Sequence, residues 1–140
     1  MKNIKDIRLK HYDYRENGYY FVTICTNYKK NVLIDETKTV VAQFIGQIPG
    51  KIKGVKVDYY AIMPSHIHII LALDGCKVKL GEIVRRIKAI SSKEIGHKLW
   101  QPNYYEHVIR SEKALEKIRE YIINNPEVER LKFEEFYDAQ

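Results

Sequence analysis

The chain has 140 residues, 45% of them hydrophobic, which is enough for one domain around one core and too little to suggest two. With 24 basic against 18 acidic residues the formal charge is +6, a mild preference for anionic partners such as nucleic acid. Cys25 and Cys76 lie far apart without C-x-x-C spacing, which argues against a disulfide framework or a zinc ribbon, and no run of about 18 apolar residues argues for a membrane span.

Residues 1–15 are polar and charged and read as a loose N-terminal arm; they lack the apolar centre of a signal peptide, so a single soluble, cytoplasmic domain over residues 1–140 is expected. Tyr19 to Thr26 is rich in aromatic and β-branched residues and predicts a central strand. Residues 37–48 predict a short helix that stops before the Pro49-Gly50 breaker. Val55 to Met63 reads as a second strand, Pro64-Ser65 as a tight turn, and His66 to Leu73 as a third strand returning beside it.

From Leu80 to Lys98 the residues Leu80, Ile83, Val84, Ile87, Ile90 and Ile95 recur at helical spacing, with Arg85, Arg86, Lys88 and Lys93 largely off that face. Tyr104 to Arg110 predicts a fourth strand, and Ser111 an N-cap for a helix that must stop near Asn125 because Pro126 follows. This order of elements predicts an α+β fold, a ferredoxin-like or RRM-like antiparallel sheet with helices packed on one face.

Alternation along a strand points both imidazoles of His66-Ile67-His68 to one face, a ready bidentate site for a divalent metal. Spacing alone favours the plainer reading, two surface or satisfied core histidines without a metal. Further oxygen donors include Asn124, Asn125, Asp58 and the glutamates, and the residues themselves do not rank them. Tyr121 and Asn125 stand four residues apart and share a helical face, with Tyr121 at the edge of the apolar stripe Leu115, Ile118 and Ile122. An edge tyrosine can simply pack on the core, and Asn125 can simply be a helix stop.

Tyrosine is abundant, eleven in all; its phenol is a nucleophile toward phosphorus once assisted, and Tyr59, Tyr60, Tyr104 and Tyr105 are candidates for stacking on bases. Arg85, Lys88 and Lys93 on the basic helix, with Tyr104, Tyr105, His107 and Arg110, make up the candidate DNA-binding set. There is no P-loop, no G-x-G-x-x-G and no nucleophile elbow.

The run Tyr60-Ala61-Ile62-Met63-Pro64-Ser65-His66-Ile67-His68-Ile69-Ile70-Leu71 resembles the HUH motif of single-tyrosine transposases, the REP-associated tyrosine transposases of bacteria in particular. Trp100 to Arg110 together with Tyr121-Ile122-Ile123-Asn124-Asn125-Pro126 is similar to the C-terminal signature of that subgroup, and Val84 to Ser92 is a weaker third match. The resemblance covers roughly Tyr19 to Val128. It implies that His66 and His68 are metal ligands, that Tyr121 is the nucleophile and that Asn125 is the third ligand, where related insertion-sequence transposases often carry glutamine. Ser65 stands where Asn or Glu is common.

The implied cofactor is Mg2+ or Mn2+, and the implied partner is single-stranded DNA with hairpins, REP-like or transposon-end sequences, cut through a 5′-phosphotyrosine link by a monomer or a homodimer. Two alternatives stand beside this: a non-catalytic RRM-like single-strand binder, and a metal-dependent hydrolase of a small phosphate ester, which the lack of acidic ligands disfavours.

Overall fold

The computed structural model describes residues 17–137. The arm expected over residues 1–15 lies outside them. Four strands, β1 (Gly18–Cys25), β2 (Val55–Met63), β3 (His66–Leu73) and β4 (Tyr105–Ile109), form one antiparallel sheet in the order β2-β3-β1-β4. Helix α1 (Asp35–Lys51) joins β1 to β2, α2 (Leu80–Ile95) joins β3 to β4, and α3 (Glu112–Asn124) follows β4. The ferredoxin-like α+β fold is therefore the expected one, with the β2-β3 hairpin turning at Pro64-Ser65 as its sequence predicts.

The two crossover helices share one face of the sheet. There Tyr20, Val22, Ile24, Ile67, Ile69 and Leu71 pack against Val41, Ile45 and Ile48 of α1 and Ile83, Val84 and Ile87 of α2. The placement of helices departs from expectation at α3, which lies on the other face, where Ala114, Leu115, Ile118 and Ile122 cover Phe21, Ile70 and Ile109. The reason is legible in the central strands. β1 from Tyr20 to Cys25 and β3 from His66 to Ile70 are buried without alternation, so both faces need a cover. Leu131, Phe133, Phe136 and Tyr137 of the segment after α3 complete that second layer.

Several boundaries differ from the sequence reading. α1 runs through Pro49-Gly50 to Lys51, although Pro49 has no N–H to give to the carbonyl one turn back. Ile48 and Ile52 are each 6% exposed and extend the buried stripe of Val41 and Ile45, and burying them offsets the lost bond. α2 ends three residues early because Gly96 takes φ +100° and its N–H caps the Ser92 carbonyl at 2.8 Å. β4 loses Tyr104 and Arg110 from its ends. The Ser111 cap is as predicted: its hydroxyl accepts from the Ala114 N–H at 3.1 Å.

Candidate active site

The pleat of β3 turns His66 and His68 toward the α3 side, 3% and 0% exposed, with ring centroids 4.8 Å apart. Pairing with β1 sets His68 opposite Thr23 and His66 opposite Cys25. Each ring is held at both nitrogens. Nδ1 of His68 lies 2.9 Å from the Thr23 hydroxyl, and Nδ1 of His66 lies 3.3 Å from that of Ser65. On the other side, Nε2 of His66 meets the Pro126 carbonyl at 3.0 Å and Nε2 of His68 meets the Val128 carbonyl at 2.5 Å.

A carbonyl only accepts, so both Nε2 atoms carry the proton in this arrangement and the two hydroxyls donate to Nδ1. Burial first, then the neighbouring His66, pushes the His68 pKa down to about 4, so its ring is neutral at physiological pH, the form in which imidazole binds a metal. Freeing Nε2 as a ligand moves the proton to Nδ1, where the Thr23 and Ser65 hydroxyls can accept as readily as they donate. Two imidazoles backed by hydroxyls fit a divalent ion. Among the described residues no group of three His, Cys, Asp or Glu side chains could hold one. The remaining donors would then be amide or carbonyl oxygens and a substrate phosphate, as in an open site rather than a closed structural one.

Tyr121 is half-buried on α3, its ring edge-on to Phe136 at 5.6 Å, and its hydroxyl has no hydrogen-bond partner among the described residues. It lines a groove with Lys117, Glu120, Asn124, Asn125 and Phe136. Asn125 caps α3: its N–H bonds the Tyr121 carbonyl at 2.8 Å and its amide nitrogen donates to the same oxygen at 3.0 Å. The amide oxygen is the end of Asn125 with metal-binding capacity. The structure thus joins Tyr121 to Asn125, and joins His66 to Pro126 directly after it, while no contact links Tyr121 or Asn125 to a histidine side chain among the described residues.

Asp58, a candidate oxygen donor by sequence, is engaged elsewhere, in a two-pronged ion pair with Arg119. Thr23 was not signalled by any motif; only its register opposite His68 identifies it. Glu129, one of the glutamates that the sequence leaves unranked as oxygen donors, pairs with Lys29 at 3.0 Å beside the buried Cys25, whose thiol is pushed up to about 11 by burial and then by the Glu129 charge.

The candidate DNA-binding residues fall in three places. On the outer flank of α2, Lys93 is exposed and Arg85 is forked onto Glu82 at 2.7 and 2.8 Å. Beneath them Lys88 spends its ammonium on the carbonyls of Gln101, Pro102 and Asn103 at 2.9, 2.9 and 3.1 Å, and Tyr104 is 6% exposed. Both hold the 101–104 segment onto α2. At the β4 edge the Arg130 guanidinium covers Tyr105, Arg110 lies 4.1 Å from the Tyr137 ring centroid, and His107 stacks on Phe133 at 3.9 Å.

The profile of the IS200-like transposases matches residues 14–125. An uncharacterized protein of Haemophilus influenzae is 35% identical over 158 aligned positions, spanning 87% of this chain and 87% of its own. The REP-associated tyrosine transposase of Escherichia coli is 25% identical, over 81% of this chain and 68% of its own. Among solved structures, a REP-associated tyrosine transposase bound to a REP hairpin superposes with a TM-score of 0.72 at 24% identity, covering 85% of this chain and 72% of that one, which is a likeness of fold. Among the described residues no helix is long and apolar enough to cross a membrane.

Proposed function

This chain belongs to the IS200-like transposase family, a family of DNA-processing enzymes, and from that premise we propose that it cuts and rejoins single-stranded DNA beside a hairpin, with Tyr121 as nucleophile and His66 and His68 as ligands of Mg2+ or Mn2+. The observation that carries this reading is the shared sheet face: the histidine pair of β3 and the α3 helix, whose Tyr121 hydroxyl has no hydrogen-bond partner among the described residues, lie on the same side.

The Tyr121 oxygen attacks phosphorus, the 3′ oxygen leaves with a proton, and a 5′-phosphotyrosine link remains. A second 3′ hydroxyl attacking that link restores the phenol and reseals the strand without a nucleotide cofactor. The bound metal would polarise the scissile phosphate and offset its developing charge. His66 and His68 would hold the metal, and a ligand role for either Nε2 would take the place of its hydrogen bond to the Pro126 or Val128 carbonyl. Asn125, at the hinge between α3 and segment 126–128, is the third protein ligand in this reading.

The hairpin preference draws on the fold-matched transposase bound to a REP hairpin. Lys93, Arg85, Tyr105, His107 and Arg110 stay in the proposed DNA surface; Lys88 and Tyr104 leave it for the packing reasons above. The non-catalytic RRM-like reading has less support, since Tyr104 is buried and Tyr59 packs in the α3 core, which leaves Tyr60, at 40% exposure, as the freest of its stacking candidates.

Incubating the protein with Mn2+ or Mg2+ and end-labelled DNA tests the proposal. The same strand is offered alone, beside a stem, and annealed to its full complement. A denaturation-resistant protein–DNA adduct is expected with the stem-flanked strand and not with the duplex, whose local melting costs a few kcal/mol. Equal cutting of all three, or cutting unaffected by a chelator, would reject it.

A further inference from the structure

Strand β2 carries one residue too many. Val57 pairs with Leu71 and Tyr59 with Ile70, so Asp58 has no partner on β3 and forms a bulge. The bulge switches the faces of the strand: Val57 packs in the α1/α2 core and Tyr59 in the α3 core. Between them the Asp58 carboxylate reaches across to α3, where Arg119 meets it with both prongs, Nε to Oδ2 at 2.8 Å and a terminal nitrogen to Oδ1 at 2.5 Å. The side chains are 15% and 37% exposed and lie 61 positions apart in the chain.

The rest of the α3 seat is apolar, Ala114, Leu115, Ile118 and Ile122 on Phe21, Ile70 and Ile109. Apolar contact is non-directional; it holds the helix down on the sheet and resists rotation about the helix axis only weakly. A forked guanidinium–carboxylate pair has direction as well as strength. Arg119 and Tyr121 are two residues apart, about 200° around the helix, so they flank the apolar stripe on opposite sides. A rotation that stretches the ion pair therefore swings the Tyr121 hydroxyl. With that oxygen roughly 8 Å from the helix axis, a turn of about 10° moves it by more than 1 Å.

We propose that the Asp58–Arg119 pair is a positioning device, anchored in the β2 bulge, that sets the rotation of α3 and with it the place of the Tyr121 hydroxyl. This rests on the reading of Tyr121 as nucleophile. A misplacement of about 1 Å at a reacting group costs about 100-fold in rate, which makes the pair a determinant of turnover rather than of folding alone.

The test uses Asp58→Asn and Arg119→Lys, which keep side-chain size while removing the charge or the fork, and the double variant. Single-turnover adduct formation is expected to fall 10- to 100-fold in each, with the double variant no slower than the worse single, while Mn2+ and hairpin-DNA affinities and the folded fraction stay at wild-type values. A 3-fluorotyrosine placed at position 121 reports the geometry without any reaction: one sharp fluorine resonance in the parent, and a shifted or broadened one in both variants. Rates that fall only in step with the folded fraction, or a fluorine line that does not change, overturn the proposal. If the parent forms no adduct at all, the nucleophile reading fails, and the fluorine line still decides whether the pair sets the helix.

Discussion

Beneath α1 and α2 the central strands present Val22, Ile24, Ile67 and Ile69 to Val41, Ile45, Ile83 and Ile87, whereas beneath α3 the same strands present Thr23, His66 and His68 alongside Phe21 and Ile70. The first layer is almost wholly apolar and is made by two helices that the strand connections oblige to lie there. The second is one helix of 13 residues and the segment after it, tied down by directional polar contacts: the Asp58–Arg119 fork, the histidine bonds to Pro126 and Val128, and the Tyr137 hydroxyl accepting the Arg110 N–H. One face is filled by apolar packing, while the other keeps buried polar groups, which are tolerated only where each has a partner; in the proposed function those partners are the ones exchanged for a metal or a phosphate.

The largest effect that would break this division is the loss of a single oxygen from the second layer. Tyr121→Phe is expected to bring adduct formation below detection while the melting temperature and DNA affinity stay at parent values, since the hydroxyl bonds nothing among the described residues. An adduct that survives the change would move the nucleophile to another tyrosine. His66→Ala and His68→Ala should each abolish metal-dependent cutting and Mn2+ uptake measured by calorimetry.

Ile69→Ala probes the opposite face. It should cost about 2–5 kcal/mol of stability by denaturant titration yet leave the cutting rate per folded molecule unchanged. A matching loss of rate would show that the two faces are not separable. Asn125→Ala is a smaller change, about tenfold in metal affinity with partial recovery in excess Mn2+; no change in affinity would remove Asn125 from the ligand set.

The smallest expected effect is a pH slope. Burial, then the Arg110 charge, lowers the His107 pKa from the ordinary 6.5 to about 4. The unfolded chain therefore takes up that proton below pH 6.5 and the folded chain only below about 4, so stability is full above 6.5 and falls as the pH drops toward 4. His107→Phe, which keeps the stack on Phe133, should flatten melting temperature against pH in that window. Identical slopes in parent and variant would show that His107 titrates normally in the folded state.

The elements that carry the proposed site were legible before any fold was known. The β-branched run and strict alternation place His66 and His68 on one face of a strand, and the structure starts β3 at His66. Ser111 and Pro126 bracket α3 because a hydroxyl cap and a missing N–H act on the nearest backbone whatever surrounds them. Where reading failed, a distant neighbour had outweighed the local rule. Pro49 ended α1 on paper, yet the core reached by Ile48 and Ile52 carried the helix past it. At Lys88 the local sequence shows only a basic helix face, and the three carbonyls that bind its ammonium come from residues 101–103.

By itself, then, the sequence determined the identity of the chemical groups, the strand and helix that carry them, and the α+β order, since these depend on period, capping and composition within a few residues. Only the tertiary structure decided that α3 covers the face opposite α1 and α2, that Thr23 and Ser65 back the two histidines, that segment 126–128 occupies their outer nitrogens, and that Asp58 clamps Arg119 rather than lending an oxygen to the site. Each of those is a contact between residues far apart in the chain, or one that depends on such a contact, and its partner is selected by register, burial and the pairing of buried polar groups, quantities that exist only once the chain has closed on itself.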